Sequence, residues 1–154
     1  MNSKKNNKGF TLAEVLIVIG IVAVALTAMI QLYIYTSMQA KVAAEKTLAL
    51  AEVQNTIENI RNHPFEDITI DYASGGSPGD VLSLDSLTGF SYIYVNSSTA
   101  DIMTIDIPVC WRSIMNRVIG EDQNLNGVLD VGEDTDSDGK IGSPVTLSTI
   151  ITDK

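Results

Sequence analysis

The strongest constraint on this chain is an apolar run close to its start. From Phe10 to Tyr35 the only charged side chain is Glu14. About 20 consecutive apolar residues carry a helix across the hydrocarbon core of a bilayer, and residues 10–36 meet that length. Past Gln39 the sequence turns polar and acidic. That split sets the class: an anchored protein with one modest folded region, not a uniformly soluble globule. Lys4, Lys5 and Lys8 precede the run with no acid among them, so the amino terminus is expected to stay in the cytoplasm and the bulk of the chain to be exported. A secretory signal peptide has a shorter apolar core, followed by small residues at its cut. Here the run continues through Gln31 into a helical pattern with no such site, so it is expected to survive in the mature protein.

Charge and chemistry narrow the function classes. Formal net charge is −9, and without the first nine residues 7 basic residues face 19 acidic ones. No run of Lys or Arg is present to neutralise phosphates, which argues against direct nucleic-acid binding. Cys110 is alone, so no intramolecular disulfide can form; in strand-like sequence it reads as an inert, packed thiol. His63, the only histidine, stands before Pro64 at an expected helix end. No nucleophile, base and orienting group come together, so the chain is read as not an enzyme.

Glu14 is the anomaly of the apolar run. An ionised acid at the centre of a membrane helix costs about 2.5–3.5 kcal/mol on insertion scales. Near an end it costs less, and a first-turn position lets the helix dipole offset part of the charge. The stretch Lys8-Gly9-Phe10-Thr11-Leu12-Ala13-Glu14-Val15-Leu16 resembles the signal of type IV pilins and pseudopilins. The resemblance implies cleavage between Gly9 and Phe10 by a prepilin peptidase/methyltransferase, followed by N-methylation of Phe10. It also gives Glu14 a partner in assembly, the free amine of Phe10 on a neighbouring subunit. Gly9 suits the unhindered, extended backbone that a peptidase cleft requires. The further partners implied are other pilin or pseudopilin subunits and an inner-membrane assembly platform. The implied location is the inner membrane as a single-pass precursor with its C-terminal region outside the cytoplasm, then a periplasmic or cell-surface filament.

Beyond the run, Met38, Val42, Ala49, Val53, Ile57 and Ile60 recur at spacings of three, four or seven, one face of a helix, with Lys41, Glu45, Lys46, Glu52 and Glu58 between them. His63-Pro64 is expected to end the helix. The chain then divides into a leader at 1–9, a transmembrane or filament-core helix half at 10–36, an amphipathic half at 37–63 and a β-sheet region at 64–154. Strand-like segments are expected at 81–87, 90–96, 101–112 and 144–151, after a connecting stretch at 64–80. In 101–112, Met103, Ile105, Ile107, Val109 and Trp111 alternate with Thr104, Asp106 and Cys110, marking a half-buried strand. Pro108 suggests an edge position, or a bulge that turns the face of the residues after it. The expected fold is α+β: one long N-terminal helix packed on a small antiparallel sheet, pilin-like by pattern and by resemblance. Many major pilins carry a proline within the apolar half; none stands here before Pro64, which favours a minor pilin or pseudopilin. Ile57-Glu58-Asn59-Ile60-Arg61 with Pro64-Phe65, and Val109-Cys110-Trp111-Arg112, resemble the PilV-like group of minor pilins.

An acidic segment at 121–142 stands apart. Asp122, Asn124, Asn126, Gly127, Val128, Asp130 and Glu133 fall at positions 1, 3, 5, 6, 7, 9 and 12 of an EF-hand calcium loop. Val128 would offer its backbone carbonyl. A weaker copy comes next in Asp134, Asp136, Asp138, Gly139 and Lys140, with Val145 where an acid should stand. Strand-like flanks exclude a helix–loop–helix, and a structural calcium between two strands is expected. Three functions fit: a minor pilin built into or priming a type IV pilus, a minor pseudopilin of a type II secretion system, or a membrane-tethered calcium-stabilised binding module.

Overall fold

The computed structural model describes residues 9–99, 101–114 and 116–153. Lys4, Lys5, Lys8 and the rest of the leader before Gly9 lie outside these residues. The chain separates into two compact units, Met1–Ala40 and Lys41–Lys154. Helix α1, Leu12–Arg61, begins in the first and ends in the second. Its start is capped from the sequence: the Glu14 amide donates to Thr11 Oγ1 at 3.3 Å and the Val15 amide to the Thr11 carbonyl at 3.2 Å. Thr11 and Glu14 therefore hold the first and last places of a Thr-x-x-Glu capping pattern. In the first unit every described residue from Gly9 to Thr36 is exposed, large apolar side chains included. The helix runs through Gly20 without a break and ends two residues before His63.

In the second unit Ala49, Val53, Ile57 and Ile60 are the buried face of α1, while Val42 is half-buried and Met38, in the first unit, is exposed. This face packs on Met103, Ile105, Ile107, Val109 and Trp111, so the alternating strand meets the periodic helix as their patterns require. The connecting stretch holds a short helix, α2 (Phe65–Asp71), whose Ile68 is buried in the same core. Seven residues are too few for periodicity to separate a helix from a loop.

Among the described residues six strands follow: β1 (Val81–Ser83), β2 (Gly89–Tyr92), β3 (Tyr94–Thr99), β4 (Ile102–Arg112), β5 (Val118–Ile119) and β6 (Thr146–Thr152). All pairings are antiparallel, and β4 pairs with β2, β3, β5 and β6. The expected 81–87 strand stops at Ser83, and the two-residue β5 was not expected. The expected 90–96 strand is divided at Ile93, yet its register is kept: Ser91 faces Val109 and, three residues on, Tyr94 faces Asp106.

Pro108 explains the gap and corrects the sequence reading of it. It lies inside the central strand, not at an edge, and pairs with Thr146 of β6. The Val109 amide donates toward β6, to the Val145 carbonyl at 3.0 Å. Alternation puts the nitrogen of Pro108 on the other side, facing the interval between β2 and β3. A residue without an N–H is tolerated there because the ladder lapses at that point. The face does not turn: Val109 and Trp111 stay in the core with Met103. Cys110 faces the reverse side, in a smaller cluster with Tyr92 and Ile141, covered by Leu125 and Leu129 of the acidic segment.

Two glutamates expected among solvated residues reach the sheet instead. Glu45 accepts hydrogen bonds from Ser113 Oγ at 2.6 Å, the Ile114 amide at 2.8 Å and Trp111 Nε1 at 3.4 Å. Glu52, two turns on, accepts from the Asp85 and Ser86 amides at 3.0 and 2.7 Å. Arg61 Nη2 donates to Thr149 Oγ1 at 2.6 Å. Desolvation works against the Glu45 charge, but the three donors outweigh it and hold its carboxyl below the ordinary value.

Candidate functional site: amino-terminal signal and acidic double loop

Gly9 and Phe10 precede the helix, in non-helical backbone, and both are exposed; Phe10 is 82% accessible. Among the described residues nothing lies within 4 Å of where a side chain on Gly9 would begin, so none of them closes off the 9–10 peptide bond. Glu14 sits in the first turn of α1 and is exposed. Among the described residues the arrangement presents an uncrowded peptide bond, a bulky apolar residue after it and a carboxylate in the first turn of the helix.

The acidic segment folds as a repeat with an offset of twelve residues. Asp122 Oδ1 accepts the Asn126 amide at 3.2 Å and Oδ2 accepts the Gly127 amide at 3.0 Å. Asp134 repeats this with the Asp138 amide at 3.1 Å and the Gly139 amide at 3.0 Å. Asn126 Oδ1 takes the Val128 amide at 2.8 Å, and Asp138 Oδ1 takes the Lys140 amide, also at 2.8 Å. Leu125 and Ser137 hold φ of 55° and 61°, and Gly127 and Gly139 hold 81° and 76°. Both loops thus adopt one backbone, with left-handed residues at the fourth and sixth positions. At the sixth only glycine enters without steric cost.

Their closures differ. Asp122 is fully buried and also accepts the Tyr92 hydroxyl of β2. Burial, and then the bond to Asp122, push the Tyr92 phenol far above its usual value. Glu133 is 7% exposed and turns back on the loop: Oε1 accepts the Gln123 amide at 2.9 Å and Oε2 the Asp130 amide at 3.2 Å. The side-chain amides of Asn124 and Asn126 both donate to Asp130 Oδ2 at 2.8 Å. Val128 is exposed. In the second loop Asp134, Asp136 and Asp138 each place a carboxylate oxygen within 4.8 Å of the others. Asp136 is raised above its ordinary value: the Asp138 amide pulls it down, but desolvation and the charges of Asp138, Glu121 and Asp134 outweigh that. Lys140 Nζ lies 5.2 Å from the Tyr94 ring centre, and Val145, in the twelfth position, is buried in the main core.

Glu121 and Tyr94 are the residues that sequence reasoning left without a role. Glu121 accepts the hydroxyl and amide of Thr135 and the Gly142 amide. The Thr135 hydroxyl, foremost, draws its carboxyl below the ordinary value. Tyr94 accepts the Ile141 amide at 2.7 Å. Together they brace both ends of the second loop. The only signal in the sequence was the position of Glu121, immediately before the first loop. Burial raises the Cys110 thiol to about 11, which keeps it protonated and unreactive.

The donors in both loops are oxygens, the ligand class a hard divalent cation takes. Three carboxylates within bonding reach of one point fit calcium in the second loop. The first offers a mixed set of Asp, Asn and Glu with the glycine correctly placed.

Comparison with known proteins gives one match. Residues 4–30 fit the family model described as the prokaryotic N-terminal methylation motif. No curated protein matches the chain. No solved structure matches it.

Proposed function

We propose that this chain, type IV pilin-like in its N-terminal motif and its α+β architecture, is a minor pilin that is incorporated into, or primes, a type IV pilus. A prepilin peptidase would cut between Gly9 and Phe10 and methylate Phe10. Residues 10–36 would hold the precursor in the membrane and then pack with other pilins, Glu14 meeting the Phe10 amine of a neighbour. The observation that carries the reading is the motif match at residues 4–30, with Gly9, Phe10 and Glu14 all inside it. Support also comes from the exposure of the large apolar side chains in the apolar half. Intact-mass and peptide measurements on protein purified from cells should find a mature chain beginning at Phe10 and heavier by one methyl group. A terminus at Met1 in the assembled material would end the proposal. A minor pseudopilin of a secretion system would be processed identically, and isolation of the fibre that contains the chain separates the two.

Calcium is the second part of the proposal. Asp134, Asp136 and Asp138 would hold one ion, with Lys140 contributing its carbonyl; Asp122, Asn124, Asn126, Val128, Asp130 and Glu133 would hold another. The ion's contribution is electrostatic, neutralising carboxylates that repel one another beside the sheet. Modules of this type bind with dissociation constants of about 10⁻⁴ to 10⁻³ M, so ten-millimolar calcium is expected to add about 1–3 kcal/mol. For the full chain in detergent that is a rise of several degrees in Tm, reversed by chelator. Asp134→Ala with Asp138→Ala should remove most of it; identical melting with calcium and with chelator would dispose of the calcium reading.

A further inference from the structure

The second loop has no acid in its twelfth position, where Val145 is buried in the main core, yet a glutamate closes it. In the first loop the Glu133 amide donates to the Asp130 carbonyl at 3.1 Å. Its Oε1 accepts the Gln123 amide at 2.9 Å and its Oε2 the Asp130 amide at 3.2 Å. Glu121 makes the same three bonds, each to a residue twelve places on. Its amide donates to the Gly142 carbonyl at 3.0 Å. Its Oε1 accepts the Thr135 amide at 3.0 Å and its Oε2 the Gly142 amide at 2.6 Å. One carboxylate thus grips the second and ninth positions of each loop in the same way. In the first loop it comes from the loop's own end; in the second it comes from before the first loop begins.

The space around Gly142 agrees with this. A Cβ there would stand 2.9 Å from Glu121 Oε2 and 3.2 Å from its Cδ, so the glycine leaves room for the carboxylate. Chain order then ties the loops together. Glu121 is followed by Asp122, which accepts the Asn126 and Gly127 amides of the first loop. Glu133 is followed by Asp134, which accepts the Asp138 and Gly139 amides of the second. Each Glu-Asp pair places one carboxylate in each loop. Withdrawing the glutamate that closes one loop therefore drags the aspartate that anchors the other.

We propose that Glu121 is the closing carboxylate of the second loop, in the role that Val145 leaves open, and that this exchange makes the two loops open, close and take up calcium as one cooperative unit. The calcium part rests on the calcium reading given above; the exchange of glutamates does not. Cooperativity follows because an ion held in one loop orders the Glu-Asp pairs for both, so the second ion meets a loop already ordered.

The test uses the full chain in detergent, with amide hydrogen exchange followed residue by residue, first in chelator. Glu121→Gln removes the charge that strengthens the grip, and Gly142→Ala pushes the carboxylate aside with every charge kept. Both are expected to speed exchange at Thr135 by about tenfold and, through Asp122, at Asn126 and Gly127 by about threefold. Glu133→Gln should do the converse, speeding Gln123 and, through Asp134, Asp138 and Gly139. Amides of β6 serve as the check that the sheet persists. Should Glu121→Gln loosen the sheet, Thr135→Val, which removes one hydroxyl partner of Glu121, should give the same pattern at smaller amplitude. Unchanged exchange at Thr135 in Glu121→Gln and Gly142→Ala overturns the role of Glu121. Variants that speed only the loop their own glutamate closes overturn the coupling. Calcium is then titrated into the parent chain, and both loops should gain protection with one midpoint; two separate midpoints overturn cooperative uptake. Protection that calcium leaves unchanged ends the calcium reading, while the exchange of glutamates stands or falls on the chelator measurements alone.

Discussion

The two halves of α1 share one secondary structure and differ in everything that touches it. Between Leu12 and Thr36 the helix is apolar around its circumference apart from Glu14 and a few neutral polar residues, and entirely exposed. Between Lys41 and Arg61 one stripe is buried, with Ala49, Val53 and Ile60 fully so, and Glu45, Glu52 and Arg61 reach from its borders to the sheet. A helix apolar all round is matched to lipid or to other helices, and one apolar on a single stripe is matched to a core. The contrast shows that helical propensity decides little here. What each half is made to lie against decides its composition.

The sharpest way to break that contrast is to trim one isoleucine from each half. Ile57→Ala removes a buried side chain and is expected to cost about 2–5 kcal/mol, read as a lower denaturant midpoint for the folded unit. Ile17→Ala in the same detergent should change that midpoint by less than about 0.5 kcal/mol. Equal losses would show that the apolar half is buried against the rest of the chain.

A smaller effect separates the two glutamates. Glu45→Ala strands the donors of Trp111 and Ser113, which are buried, and should cost about 1–3 kcal/mol. Glu52→Ala frees amides of exposed residues, Asp85 and Ser86, which water can satisfy, so a loss under about 1 kcal/mol is expected. The smallest effect is in pH. Glu45 titrates lower in the folded protein than its ordinary 4.5, so its contribution is complete above that value and is lost as pH falls through the lower folded value. Denaturant midpoints of Glu45→Gln should therefore fall less steeply below pH 4.5 than those of the parent.

Legibility kept to the same boundary. The buried face of α1, its end before Pro64 and the inward face of β4 were readable because each is a period imposed by one flat neighbour. Met38 fits the helical spacing but is exposed, since periodicity cannot show where the covering sheet ends. Glu45 and Glu52 looked like solvated charges because their partners lie in turns far along the chain. Pro108 suggests an edge or a bulge by a rule about donors, and only the pairing shows that its missing donor faces a lapse in the ladder. In the acidic segment the two glycines announced the turns. The burial of Asp122 against Tyr92 and the bracing by Glu121 depend on tertiary placement that spacing does not encode.

The central position of β4 bears on how such a chain matures. Along Ile102–Pro108 one flank of this strand is sealed by Thr146–Thr152, with the whole aspartate-rich segment intervening. Synthesis from the amino end delivers β4 well before the strand that seals it. In that interval the inner isoleucines have an open rim, the state in which strands join the wrong chain. The greatest risk to this molecule thus falls during its synthesis, when a holding chaperone would matter more than any contact in the finished fold.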